Sequence, residues 1–169
     1  AQGVDLETAQ IVSPAGDLTF FGGTSIVKDM TLKFTEKYSI YADGKPLKIS
    51  TGVNVVTEPE TAKPDLYGGS NGEKVNNTNL IVQSGTFAAV YGGGNNGGAD
   101  NTSVVIGVDP DAPADPADLS GFGTTSIYGG SKNATTETTN TVITLPNTGA
   151  NNAFSFKTVS GFGTGAGDA

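Results

Sequence analysis

Four aspartates fall within ten residues, at Asp109, Asp111, Asp115 and Asp118. Carboxylates at that density are the ligands a hard cation such as Ca²⁺ takes. The run lacks the glycine and closing glutamate of an EF-hand, and Pro110, Pro113 and Pro116 stiffen it. These residues are the chain's metal candidates, but the expected reading is a solvated acidic loop with no cofactor. Elsewhere the composition closes off chemistry. Cysteine and histidine are absent, which removes disulfides, thiolate and imidazole metal sites and every nucleophile–histidine arrangement. No catalytic residue is identified, and the chain is not expected to be an enzyme.

Two further residue types recur at regular places. Tyrosine followed by two glycines occurs at Tyr67, Tyr91 and Tyr128, with Phe21-Gly22-Gly23 as a degenerate fourth copy. Asparagine followed by threonine occurs at Asn77, Asn101 and Asn140. A column of tyrosines could stack against sugar rings, and a column of asparagines could hold a ligand. The structural readings are stronger. Tyrosine beside Gly-Gly is usually a corner aromatic, and stacked asparagines bond one another and the local backbone.

The elements that position these columns are strands. After each Asn-Thr comes an alternating apolar run, Leu80/Val82, Val104/Ile106 and Ile143/Leu145, with Ile81, Val105 and Thr144 between. Side chains alternate across a strand, so the first pairs face inward and the intervening residues outward. A third shared element, Ser-Gly with a nearby phenylalanine, follows at 84–87, 120–123 and 160–163. The compact unit runs 24 residues from Tyr67 to Tyr91, and Tyr41 is a plausible intermediate corner in the longer interval from Phe21 to Tyr67. Periods of this length mark solenoids. The predicted fold is all-β, a parallel β-helix of about five coils of roughly 24 residues, stacked about 4.8 Å apart. Extra residues near 109–118 and 147–157 leave from the same corner and should project side by side.

Residues 1–19 precede the repeats. Their apolar residues fit a capping helix or a strand reaching a neighbouring molecule. Val4, Leu6, Ile11 and Val12 are assembly candidates, with Phe162 at the other end. Residues 20–169 make up the predicted solenoid.

Net charge is −8, and all nine basic residues are lysines. An acidic chain without arginine is a poor partner for a phosphate backbone, so nucleic acid is not expected. No apolar run reaches the roughly 20 residues of a membrane span. The opening Ala1-Gln2-Gly3 is what cleavage of a signal peptide leaves, and an extracellular or cell-surface location is expected. Leu145-Pro146-Asn147-Thr148-Gly149 matches a sortase pentapeptide without the apolar stretch and basic tail of a sorting signal. Three sequons begin at Asn76, Asn101 and Asn133.

The order Asn-Thr-x-(Val/Leu)-x-(Val/Ile), Ser-Gly-x-Phe and Val-Tyr-Gly-Gly-Gly resembles the Gly-rich parallel β-helix repeats of secreted bacterial surface and adhesin-like proteins. The resemblance covers about 21–164 and implies a right-handed β-helix exported to the cell exterior. The leading functional expectation is a structural subunit that stacks end to end on itself in a filament. The alternatives are a monomeric adhesin or carbohydrate-binding module recognising surface glycans through its inserts, and a polysaccharide lyase. A lyase wants a basic residue beside Ca²⁺-binding carboxylates, and this chain has few lysines and no arginine.

Overall fold

The computed structural model describes residues 10–11, 15–114, 116–134, 140–146 and 155–164. Short alternating apolar runs broken by Gly, Asn, Asp and Pro form fourteen strands. In order they are β1 (Gln10–Ile11), β2 (Leu18–Thr19), β3 (Ser25–Val27), β4 (Thr31–Phe34), β5 (Ser39–Tyr41), β6 (Pro46–Ile49) and β7 (Asn54–Thr57). Then come β8 (Asp65–Tyr67), β9 (Val75–Val82), β10 (Ala89–Tyr91), β11 (Ala99–Ile106), β12 (Ser126–Tyr128), β13 (Asn140–Thr144) and β14 (Thr158–Ser160). Two single 3₁₀ turns, Glu60–Ala62 and Ser120–Thr124, complete the secondary structure of the described residues.

All strand pairs are parallel, and they form three sheets. The first is β1-β4-β7, the second β2-β5-β8-β10-β12-β14, and the third β3-β6-β9-β11-β13. The chain visits them in rotation, each round adding one strand beside the last. Beyond β7 the place of the first sheet is taken by connections that stack through Phe87, Phe122 and Phe156. Their rings meet edge to face, with centroids 6.2 Å apart at both contacts.

The register explains the core. Leu18, Ile40, Leu66, Val90, Ile127 and Val159 form one column of the second sheet. In the third, Leu47, Leu80, Val104 and Ile143 form one column, and Ile49, Val82 and Ile106 form another. The buried members of these columns, with Phe34, Phe87 and Phe122, make one cluster. Burying each such side chain fully contributes about 1.5–3 kcal/mol. Val105, expected outside, is buried all the same. The connection after β11 returns over it, with Val108 and Ala117 lining the same groove.

Glycine is required at the β8 and β10 tiers of the turn from the second sheet toward the third, whereas Ala42 holds the equivalent place after β5. A Cβ on Gly92 would lie 2.2 Å from the Gly129 carbonyl oxygen and 2.9 Å from Thr102 Cβ. Gly68 meets Gly92 and Thr78 in the same way. The Thr78 and Thr102 hydroxyls donate to the Gly92 and Gly129 carbonyls, each at 2.7 Å, and lock successive tiers together. Only a residue without a side chain fits between. Gly92→Ala is therefore expected to destabilise the fold by about 1–3 kcal/mol or more, whereas Gly72→Ala, with nothing within 4 Å of its Cβ, should change little. Urea unfolding monitored by circular dichroism checks both.

Candidate functional site

The sequence-derived columns meet where the second sheet turns into the third. Tyr41, Tyr67, Tyr91 and Tyr128 share one register position on β5, β8, β10 and β12. Their rings stack with centroids 5.0, 5.0 and 4.8 Å apart and planes within 13°. They lie on the face opposite Ile40 and Leu66, yet Tyr41, Tyr67 and Tyr91 are buried there and form a second apolar cluster with Ala89. Stacking of this kind adds about 0.5–1.5 kcal/mol per pair beyond burial. The inner rings, Tyr67 and Tyr91, are stacked on both faces and offer neither to a sugar.

Asp65 shares this face, two residues before Tyr67, and is 3% exposed. A carboxylate so buried needs partners. Lys132 Nζ lies 2.8 Å away and Lys37 Nζ 3.5 Å, and the Tyr67 hydroxyl donates to it at 3.3 Å. Burial, reinforced by the Asp65 charge, raises the Tyr67 pKa strongly, and burial pushes Tyr91 up to about 12.

The asparagine column is a ladder of side-chain amides. Asn140 donates to Asn101 at 3.0 Å, and Asn101 to Asn77 at 2.9 Å. A second ladder, not anticipated from the repeat, runs along the corner itself: Asn133 donates to Asn95 and Asn95 to Asn71, both at 2.9 Å. Asn71 and Asn95 follow the Tyr-Gly-Gly copies by similar intervals, which was the available signal. Each interior amide spends a donor and an acceptor on its neighbours, so the ladders hold the tiers in register. Of the sequon asparagines, Asn101 and Asn133 are ladder members.

Among the described residues, Asp109, Asp111 and Asp118 do not converge into a cation site. Asp109 is buried with its carboxylate 2.7 Å from Lys48 Nζ, on β6, and it accepts the Asp111 N–H at 2.8 Å. The Lys48 hydrogen bond holds the Asp109 pKa below the usual carboxylate range. Asp118 accepts the Ser120 N–H at 3.1 Å and lines a different groove, with Ser84 and Thr86. Asp115 lies outside the described residues. Among those described, no three metal-ligating side chains converge. The first insert is thereby tied back over the third sheet at its root, where free projection was expected. The Lys48 ion pair takes the Asp109 carboxylate out of water, whereas Asp111 and Asp118 remain exposed.

Two corner assignments shift. Thr19, not Phe21, stands in the tyrosine column, opposite Tyr41. Likewise Ser160 pairs with Tyr128, so Ser160-Gly161-Phe162 is a copy of Tyr-Gly-Gly. The third member of the Phe87–Phe122 column is Phe156. Phe21 and Phe162 thus both stand where Gly69, Gly93 and Gly130 stand in the β8, β10 and β12 tiers, with Asp43 in that place after β5. At that position, on Gly69, a Cβ would come within 2.7 Å of the next tier's backbone. Only edge tiers have room for a ring, and Phe21 and Phe162 are 79% and 62% exposed. Of the other assembly candidates, Ile11 lies in β1 opposite Leu32, and Val4, Leu6 and Val12 are outside the described residues.

No family model, curated protein or solved structure matches this chain. Among the described residues no helix is long and apolar enough to cross a membrane.

The raised phenols link stability to pH. A folded-state pKa above the ordinary tyrosine value near 10 gives stability that is whole below about pH 10 and lost as pH rises toward about 12. Absorbance titration should show Tyr67 and Tyr91 ionising only as circular dichroism is lost. Tyrosines that all titrate near pH 10 in a folded chain would contradict this. For the ion pair, Asp109→Ala should cost about 3 kcal/mol at pH 7, and Lys48→Met combined with Asp109→Leu should recover most of it. The lowered Asp109 pKa makes this contribution present above about pH 4 and lost at lower pH. Urea midpoints at pH 7 and pH 3 check the sign.

Proposed function

We propose that the three parallel sheets close into a right-handed β-solenoid, and that the chain is an extracellular structural subunit which stacks end to end on copies of itself. One observation carries this reading. Of the seven large apolar side chains exposed among the described residues, six lie on the edge tiers: Phe21 and Ile26 at one end, Val142, Leu145, Val159 and Phe162 at the other. Apolar side chains concentrated beside unpaired strand edges are what a stacking surface needs, and an isolated copy would leave them to water.

The two ends also match. β14 and β2 are the edge strands of the second sheet, and all its strands run parallel. A second copy placed with its β2 beside β14 continues the Leu18-to-Val159 column and brings Phe162 and Phe21 into one column. Contacts of this heterologous kind propagate into open fibres. The extracellular placement rests on the resemblance to secreted surface repeats. Its biochemical logic is that of a fold held by backbone and amide ladders, without disulfides.

Purified full-length chain should form unbranched filaments in negative-stain electron micrographs and sediment as large species. The variant with Phe21→Asp and Phe162→Asp changes two exposed positions and sets like charges against each other at the junction. It should remain folded and monomeric. A wild-type chain that stays monomeric at high concentration, or a double variant that still polymerises, would overturn the reading.

A further inference from the structure

Two asparagines in this chain stand directly before glycine, Asn71 and Asn96. In that pairing a side-chain amide most readily reacts with its own main chain, since glycine puts no side chain in the way of its nitrogen. The two pairs occupy successive tiers of the same corner, after β8 and after β10, and their surroundings are opposite. Gly97 is buried, and a Cβ on it would collide with the Glu73 carbonyl. Its own carbonyl accepts the Gly94 N–H at 3.1 Å and the Ser131 hydroxyl at 3.2 Å. Gly72 is exposed, with nothing within 4 Å of its Cβ, and its N–H donates to the Ser70 hydroxyl oxygen at a long 3.3 Å.

The Asn71 side chain is held in a way that suits such a reaction. Its Oδ1 accepts an amide N–H from Asn95 at 2.9 Å and another from Asn96 at 3.2 Å. Asn71 is exposed and is the first rung of its ladder, because the β5 tier turns through Asp43-Gly44 with no asparagine. Its carbonyl carbon is therefore polarised by two donors, while its amide nitrogen faces no further rung. Donors fixed on the oxygen where negative charge gathers stabilise a tetrahedral intermediate.

We propose that Asn71 is a self-modification site, where the corner directs loss of its side-chain amide to yield aspartate and isoaspartate. Hydroxide takes the Gly72 amide proton, and the freed nitrogen pair attacks Asn71 Cγ. The Cγ–Oδ1 π electrons move onto Oδ1, between the Asn95 and Asn96 amides. They return as the Cγ–Nδ2 bond breaks, and ammonia leaves with a proton from water. A further water then opens the cyclic imide at either carbonyl. Aspartate keeps an acceptor for both donors and binds them more strongly as a carboxylate. Isoaspartate routes the main chain through the former side chain and withdraws the rung. Asn96 is spared, because the same ring closure would pull Gly97 out of the packed corner. None of this depends on end-to-end stacking.

The test holds folded full-length protein in mildly alkaline buffer, in parallel with a sample unfolded in urea. Peptide mass mapping follows the amide-to-acid conversion at each asparagine. In the folded chain Asn71 should convert about tenfold or more faster than Asn96, whose reaction needs local opening. In urea the two should convert alike, with Asn71 no faster than in the folded chain. Asn96→Ala removes one donor and leaves the Asn133–Asn95–Asn71 ladder in place. It should slow Asn71 about two- to tenfold, the worth of one exposed hydrogen bond. Gly72→Ala should keep the urea midpoint and largely stop the conversion. Folded Asn71 that converts no faster than Asn96, or more slowly than in urea, overturns the site. So does an Asn71 rate left unchanged by Gly72→Ala, or by Asn96→Ala in a chain with the wild-type circular dichroism.

Discussion

Everything in this fold depends on backbones that approach closely at one corner. Parallel strands about 4.8 Å apart leave room for side chains above and below each sheet, but none at Gly68 and Gly92, where the chain turns with one tier directly over the next. There the Gly92 and Gly129 peptides come so near that a single methyl group is excluded, and a threonine hydroxyl from the third sheet ties each carbonyl. Once that corner is fixed, the rest follows. Tyrosines preceding it are forced into one column at stacking distance, asparagines following it fall into amide ladders, and the apolar residues of both sheets line up over one core.

This constraint also explains what the sequence made legible. The recurrence of Tyr-Gly-Gly with Asn-Thr ten to twelve residues later encodes the parallel register directly. Tyr67, Tyr91 and Tyr128, and Asn77, Asn101 and Asn140, stand opposite one another as their spacing indicates. The edge tiers were misassigned for the same reason. Phe21 and the Ser160-Gly161-Phe162 copy lack the tyrosine because an edge ring has a neighbour on one side only. They keep the corner's backbone while losing its most conspicuous letter. Matching on the aromatic therefore slipped Phe21 by two residues and placed Phe162 in the wrong column.

The acidic insert was legible in composition and not in contact. Four aspartates among prolines look solvated or metal-binding, and the partner that decides the matter, Lys48, lies more than sixty residues earlier on β6. Nothing local to either residue signals the pair. It exists because the third sheet brings β6, β9 and β11 side by side and the insert returns across them. The polar chemistry of this chain is spent on holding tiers together: amide ladders at two columns, Asp65 between two lysines, Asp109 on Lys48. Among the described residues, six of the seven exposed large apolar side chains lie on the edge tiers.

The central claim is that this arrangement continues from one molecule into the next. The second sheet contributes six tiers per copy, which at about 4.8 Å per tier sets a subunit repeat of about 29 Å along the axis. Helical reconstruction of filaments grown from the purified chain measures that repeat directly. A rise of about 29 Å, with strands perpendicular to the axis and sheets continuous across the junction, is the expected result. A chain that remains monomeric, or a filament whose copies pack side by side with broken sheets, would contradict the account.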